Sequence, residues 1–292
     1  MESQQPNHAT ISRSTEILPQ HEFDQYFKQV KEDVQLYFDS KIKWYSKTPL
    51  LAKLFGLPSF FEETNILIEK YIPIWAQQKT YSRGKICFHV YKMLYLLIND
   101  DDFKNLNKND QNVLLWATLF HDISKRGKPL IKANKDPVHP FKSAWQTLHY
   151  FNQIFNFLDL TDEDLKEWDE IFVNSTMRNK NGTQIQNHVI VPNVKKFLDE
   201  KLKDKEFEKE VIIFVLLHQS VPTLKAHAHT ALLEPLEEEV PKYFNKKSFE
   251  LFRILLRNDS FSYLMYDLFD NKKAYGDEID GNINRILPFI KD

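Results

Sequence analysis

Glycine, cysteine and long apolar runs are all scarce in this sequence. The 292 residues include 6 glycines and one cysteine, Cys87. So few glycines argue against the repeated tight hairpins of a β-sandwich. A single cysteine excludes an intramolecular disulfide and is typical of a reducing compartment. The longest apolar runs are short pieces such as 211–217, far below the ~20 residues that cross a bilayer, so no membrane span is expected.

The sequence also lacks an excess of charge of either sign. Lysine and arginine number 39 against 41 acidic residues, which gives a net charge of −2. General nucleic-acid binding usually requires a strong basic field, so it is not expected, and any anion site must be local. The segment 1–20 has neither a basic region followed by an apolar core nor the arginine-rich character of a transit peptide. These features predict a cytoplasmic protein.

Apolar residues recur at three- and four-residue spacing through most of the chain, as amphipathic helices require. The segment 211–217 is rich in β-branched residues, but the charged, glycine-free stretch 202–210 before it favours one continuous helix. The predicted fold class is therefore all-α. Helical segments are predicted at 21–45, 60–78, 86–98, 110–123, 141–158, 161–177, 191–202, 208–221 and 247–269.

The predicted helices fall into one domain with an N-terminal extension. Residues 1–18 are polar and predicted to be disordered. Residues 19–75 are predicted to form a helical extension, whose candidate roles are to cap a pocket, to form a homodimer or to bind a partner. Residues 76–292 form the main domain. Polar stretches at 99–110, 128–140 and 179–187 are predicted to be loops.

Histidine and aspartate interrupt several of the predicted apolar helices. His121 and Asp122 end one apolar run, and His89, His218 and Asp259 lie within others. A buried carboxylate that lacks a partner costs several kcal/mol or must be protonated, so each such aspartate requires compensation. Imidazole nitrogens and carboxylate oxygens are ligands of divalent iron, manganese, zinc and magnesium. A bound metal is one way to supply this compensation.

Two motifs resemble those of the HD-domain superfamily of metal-dependent phosphohydrolases. "LFHDISK", at 119–125, is similar to the "LLHDIGK" form of the family's second motif, with Ser124 in place of the usual glycine. "HPFKSA", at 139–144, resembles the later histidine and small pair in the HD domains attached to tRNA nucleotidyltransferases. The resemblance covers about 81–266 and implies a single HD-type helical bundle as the fold.

The resemblance also implies roles for individual residues. The metal ligands would be His89, His121, Asp122 and Asp259, although Asp267 and Asp270 compete with Asp259 in the same predicted helix. His139 and His218 match the extra histidines of the family's two-metal members. Each of these two histidines also has a structural interpretation, as a core residue or as the start of a helix. The metals considered are manganese, iron, cobalt, nickel and magnesium, with one or two ions bound.

Three cations follow the His-Asp pair, namely Lys125, Arg126 and Lys128. They would bind the substrate's phosphate, since phosphate oxygens need cationic donors as negative charge builds on them. Lys125 is the strongest candidate because its position matches the family motif. A solvated lysine-rich loop is the alternative for all three.

The expected function is therefore hydrolysis of a phosphate ester of a nucleotide or another small phosphorylated metabolite. Asp122 would bridge two metals, and His139 would either complete the second site or protonate the leaving group. One alternative is a di-iron oxygenase like the myo-inositol oxygenases, which share the HD arrangement, with His188 and His218 as the additional ligands. Another is a non-catalytic regulator that keeps the helical scaffold.

Overall fold

The computed structural model describes most of the predicted main domain. The described residues are 85–124, 139–153, 155–174, 176–179, 182–185, 187–221, 236–262 and 272–292. Within them the chain is helical apart from one short hairpin and connecting turns, which confirms the all-α prediction. The predicted disordered segment 1–18 and the predicted helical extension 19–75 lie outside the described residues.

The helices follow one another closely along the chain. They are α1 (Lys85–Asn99), α2 (Asp101–Lys104), α3 (Lys108–Phe120), α4 (His139–Gln153), α5 (Asp162–Asn174), α6 (Asn187–Lys201), α7 (Glu206–Leu217), α8 (Leu236–Glu239), α9 (Lys246–Phe261) and α10 (Lys272–Ile286). Short 3₁₀ turns lie at Val240–Lys242 and Leu287–Phe289. The strands β1 (Thr176–Asn179) and β2 (Gly182–Ile185) pair antiparallel between α5 and α6.

Helix α3 lies at the centre of the packing, with α1, α4, α7 and α9 against it. Every residue from 113 to 120 is buried, so the helix has no polar face over its last two turns. A helix that is apolar all round is stable only when neighbours enclose it. Helix α7 is buried in the same way from 211 to 217, which confirms that this β-branched stretch is helical.

The start of α9 is set by a capping box. The Asn245 side chain accepts a hydrogen bond from the backbone N–H of Ser248, and the Ser248 hydroxyl accepts one from the backbone N–H of Asn245. Helix α3 is capped by Asn107, whose side chain accepts from the backbone N–H of Asp110. Such caps satisfy amides that would otherwise have no partner, and typically each stabilises a helix by about 1 kcal/mol.

Aromatic packing fixes α3 against α4. The ring of Trp116 in α3 lies 5.9 Å from Phe151 in α4, and 5.1 and 5.4 Å from Phe155 and Phe157 in the turn that follows. All three contacts are edge-to-face, a geometry that adds about 0.5–1.5 kcal/mol per pair beyond the burial itself. This packing sets the relative position of two helices that carry candidate ligands at their ends.

The structure differs from the sequence prediction after α4. The segment predicted as one helix over 141–158 ends at Gln153, and the chain then turns through Asn156, whose φ is 54°. Asparagine tolerates this left-handed conformation better than most residues, which explains the turn without a glycine. The turn brings Phe157 back against Phe151, where its backbone N–H donates to the Phe151 carbonyl.

The hairpin is a second difference from the prediction. The predicted helix at 161–177 stops at Asn174, and β1 and β2 occupy much of the stretch predicted as a helix end and a polar loop. The strands are in register from Thr176 with Ile185 to Asn179 with Gly182. Asparagine and glycine beside alternating residues are a hairpin signal, which the helical periodicity before it had outweighed.

Among the described residues, no helix combines the length and the apolarity that are needed to span a bilayer.

Candidate metal centre

Six buried or half-buried histidine and aspartate side chains converge where α3, α7 and α9 end and α4 begins. Among the described residues they form two groups whose ligand atoms lie within 4.8 Å of one another. The first group is His89, His121 and Asp259, and the second group is Asp122, His139 and His218. Each of these six residues is a ligand candidate in the sequence, and the structure brings all of them together.

Three of these side chains lie at the carboxyl ends of buried helices. His121 is the C-cap residue of α3 and Asp122 follows it, while His218 is the C-cap residue of α7. The last carbonyl groups of a helix carry partial negative charge, so this position favours a cation. His139 is the first residue of α4, followed by Pro140, a residue type suited to the first turn of a helix.

The first group is the more accessible of the two. His89 comes from the second turn of α1 and Asp259 from the last turn of α9, and their side chains are 16% and 20% exposed. The side chains of His139 and His218 are 2% and 1% exposed. The second group therefore lies deeper in the bundle than His89 and Asp259 do.

Distances within the first group are those of atoms that face a common point. The Nε2 atom of His89 lies 3.0 Å from Oδ1 of Asp259 and 3.2 Å from Nε2 of His121. The His121 Nε2 atom lies 3.8 Å from the same Asp259 oxygen.

The second group repeats this arrangement around Asp122. Its Oδ1 atom lies 2.9 Å from Nε2 of His139 and 3.6 Å from Nε2 of His218. The two imidazole nitrogens are themselves 3.2 Å apart.

Asp122, a member of the second group, also faces the first group. While its Oδ1 atom faces the second group, its Oδ2 atom lies 3.7 Å from Nε2 of His89 and 3.7 Å from Nε2 of His121 in the first group. One carboxylate thus presents one oxygen to each group, which is the geometry that a ligand bridging two cations requires.

Hydrogen bonds to the backbone orient two of the imidazoles. His121 Nδ1 donates to the carbonyl of Thr118, and His218 Nδ1 donates to the carbonyl of Val215, each at 2.7 Å. A neutral histidine that carries its proton on Nδ1 has a lone pair on Nε2. Both Nε2 lone pairs therefore point into the groups, as metal ligation requires.

Electrostatics favour the ligating forms of His121 and Asp259. Burial lowers the pKa of His121 to about 4, against the opposing effect of Asp122 and Asp259, so the ring is neutral at neutral pH. Burial would raise the pKa of Asp259, but the His89 side chain 3.0 Å away and the nearby histidines outweigh it and lower this pKa below its usual range. A neutral imidazole and an ionised carboxylate are the forms that bind a metal.

The ligand atoms of these residues are chemically suited to a cation. The Nε2 atoms of His89 and His121 lie 3.2 Å apart. The ring proton of His121 is on Nδ1, which donates it to a backbone carbonyl, so the Nε2 atom of His121 is an acceptor. In the metal-bound form of the ligands all the facing atoms are acceptors, which a cation between them would stabilise. Each group offers two imidazole nitrogens and carboxylate oxygen, so each could hold one ion.

Ser124, which stands where the motif that this segment resembles has glycine, has a structural role. Its hydroxyl donates to the backbone carbonyl of His139 at 2.9 Å, and its backbone N–H donates to the hydroxyl of Ser143 at 3.2 Å. The loop after the His-Asp pair is therefore joined to the first turns of α4. This contact holds His139 beside Asp122.

Sequence reasoning did not identify Ser262 as part of the site. Its hydroxyl lies 2.8 Å from Nδ1 of His89, and it caps the helix that carries Asp259. The available signal was its position three residues after Asp259, which places it near the same point of a helix. Serine is so common near helix ends that this spacing alone did not distinguish it.

The remaining predicted site residues are not placed. Lys125, Arg126 and Lys128 lie outside the described residues, as do Asp267 and Asp270. The backbone of His188 lies in the first turn of α6, and its side chain is outside the described part.

Comparisons with known proteins identify no relative. No family model matches the chain, and neither the curated proteins nor the solved structures contain a match.

Proposed function

We propose that this chain is a metal-dependent phosphohydrolase of the HD-domain type, which cleaves a phosphate ester of a nucleotide or another small phosphorylated metabolite. The observation that carries the proposal is the position of Asp122, with Oδ1 2.9 Å from His139 and Oδ2 3.7 Å from His89 and His121. A shared carboxylate between two histidine-rich groups is suited to two cations held close together.

The donor set supports a transition metal. His89, His121 and Asp259 would hold one ion, His139 and His218 would hold the other, and Asp122 would contribute to both. Four imidazole nitrogens favour manganese, iron, cobalt or nickel over magnesium, which prefers oxygen ligands. When bound, such ions lower the pKa of a water molecule and neutralise charge that develops on a phosphate.

The chain's own residues supply a rigid and largely dry setting. The side chains of His121, Asp122 and His218 are each 1% exposed, and backbone carbonyls orient both imidazoles. Interactions with a charged substrate are stronger where bulk water is excluded. The exposed side of Asp259 and His89 is the side from which a small phosphorylated substrate would enter.

The cationic residues after Ser124 complete the proposal. Lys125, Arg126 and Lys128 would donate to the non-bridging phosphate oxygens, as the resemblance implies for Lys125. Lys125 directly follows a residue whose hydroxyl is bonded to the backbone of His139. The cytoplasmic location and a homodimer remain predictions from the sequence.

A di-iron oxygenase is the second candidate, because two groups sharing one carboxylate suit two irons as well. In this version His139 would take the place that the sequence analysis gave to His188, since His139 lies with His218 in the second group.

The test is elemental analysis of the purified full chain, followed by phosphate release from a nucleotide panel on the same sample. We expect about two transition-metal equivalents per chain, with metal and phosphate release both lost in Asp122→Asn. The matched control is Asp110→Asn, which changes a buried aspartate at the other end of α3 and should keep both. Two irons with oxygen uptake and no phosphate release would favour the oxygenase, and absence of metal would favour a non-catalytic regulator.

A further inference from the structure

Ser262 connects two ligands of the first group that are far apart in the sequence. Its hydroxyl lies 2.8 Å from Nδ1 of His89 in α1 and 2.5 Å from the backbone carbonyl of Asp259 in α9. The residue is completely buried.

The direction of these hydrogen bonds follows from counting protons. A carbonyl oxygen can only accept, so the single hydroxyl proton of Ser262 is donated to Asp259. The hydroxyl oxygen can then only accept from His89, which must carry a proton on Nδ1. The Nε2 atom of His89 is thereby left as the ligating atom, and it faces Asp259 Oδ1 at 3.0 Å.

We propose that Ser262 is the positioning residue of the first metal group, where it fixes the tautomer and ring orientation of His89 and ties that ring to the helix end that carries Asp259. This inference rests on the proposed metal centre and adds a role outside the ligands themselves. Ser262 is not among the six ligand candidates, and we expect it to act through His89 and Asp259.

The neighbouring histidines explain why this residue is needed. His121 and His218 donate from Nδ1 to carbonyls of their own helices three residues earlier, Thr118 and Val215. His89 instead uses a side chain from another helix, 173 residues away in the sequence. The first group is therefore assembled only when α1 packs against the end of α9. Through Ser262, this packing also sets the direction in which Nε2 of His89 points.

The experiment is a cobalt(II) titration of the full chain, followed by the visible absorption of bound cobalt. His89→Ala and His218→Ala identify which equivalent belongs to the first group and which to the second. Ser262→Ala should bind the first-group equivalent about 10–100-fold more weakly, as is typical when a partner of a ligating histidine is lost. The second-group equivalent should keep its affinity and its spectrum.

Two further variants separate positioning from packing. Ser260→Ala removes a buried hydroxyl of the same helix that donates to the Leu256 carbonyl, and it should bind both equivalents as the wild type does. Ser262→Thr keeps a hydroxyl and should restore binding. Ser262→Cys keeps the shape of serine with a much weaker acceptor, so it should lose affinity even if the alanine variant does not fold.

Unchanged cobalt affinity in both Ser262→Ala and Ser262→Cys would overturn the role of Ser262 while leaving the metal centre in place. Equal losses in Ser260→Ala and Ser262→Ala would also overturn it, because the effect would then be general to the helix. A wild-type chain that binds no cobalt overturns the metal centre and the role of Ser262 together.

Discussion

Helix α3 has a buried aspartate at each end, and the surroundings of the two differ. Asp110, in the first turn, is 3% exposed and lies 2.7 Å from Nζ of Lys247. Its other oxygen accepts a hydrogen bond from the Asn107 side chain at 2.7 Å. The amino end of a helix carries partial positive charge, so the helix also stabilises this carboxylate.

Asp122, just beyond the last turn, is completely buried at the end that carries partial negative charge. The Nε2 atoms of His89, His121, His139 and His218 lie within 3.7 Å of it. A permanent cation and a helix dipole stabilise the first carboxylate, whereas four imidazole rings surround the second. Among the described residues, we therefore call the Asp110 end of α3 the stability end, and the Asp122 end, where we propose that metal binds, the binding end.

The largest expected effect is the loss of activity on changing the binding end. Asp122→Asn keeps the size of the side chain but removes the charge that both groups share. We expect hydrolysis to fall by more than about 1,000-fold, since bound ions contribute several kcal/mol to the stabilisation of the transition state. Phosphate release measured beside metal content checks this, and a variant that retains both would break the comparison.

Adding metal should stabilise the protein through the same end. At a free metal concentration about a thousand times Kd, binding adds about 4 kcal/mol to the free energy of unfolding, or roughly 10 °C in Tm for a domain of this size. Thermal unfolding of the metal-free protein, with and without added manganese, measures the shift. Asp122→Asn should show little of it, and an equal shift in both proteins would contradict two groups that depend on Asp122.

Changing Asp110, at the stability end, should have a smaller effect, and it should lower the stability of the fold and not the metal content or the activity. Asp110→Asn loses the ion pair with Lys247 and the favourable helix charge, and should lower the free energy of unfolding by about 1–2 kcal/mol. Urea unfolding of the metal-free protein measures this. Metal content and phosphate release should not change, and a loss of metal in this variant would mean that the two ends are not independent.

The smallest effect on stability should come from changing an ion pair that lies away from both ends of α3. Lys201 in α6 donates to Asp164 in α5 at 2.6 Å, and its hydrogen bond lowers the pKa of Asp164 to about 2. A carboxyl whose pKa falls on folding stabilises the fold above its ordinary pKa and loses that contribution as the pH falls through the folded value. Lys201→Met should therefore be slightly less stable than wild type at pH 7. The difference should vanish as the pH approaches 2, as urea unfolding across this range would measure.

Several features of the fold were predictable because they depend on residues close together in the chain. The periodicity around Val211 and Leu217 predicted α7 correctly, and apolar spacing predicted α1 and α3 to within a few residues. The end of α4 was not predictable from periodicity, since the apolar pattern continues past Asn156 while the backbone turns. The hairpin after α5 was missed for a similar reason, because the turn signal competed with a strong helical pattern.

The candidate site divides in the same way. His121 and Asp122 were predicted from one motif, and His89, His139, His218 and Asp259 from their residue types and the resemblance. Their separation into two groups that share Asp122 depends on distances between five segments of the chain, which spacing along the sequence does not contain. Ser262 depends on the docking of α1 against α9, so its contact with His89 could not be predicted from either helix alone.

The sequence by itself determined the helical class, the positions of most helices and the residue types available for ligation, because helix periodicity and donor chemistry are local properties. Only the tertiary structure decided that one oxygen of Asp122 faces each group, that Ser124 joins His139 to the loop after α3, and that Ser262 orients His89. These arrangements depend on how close-packed helices meet at their ends. That geometry is set by the whole core and by no single segment.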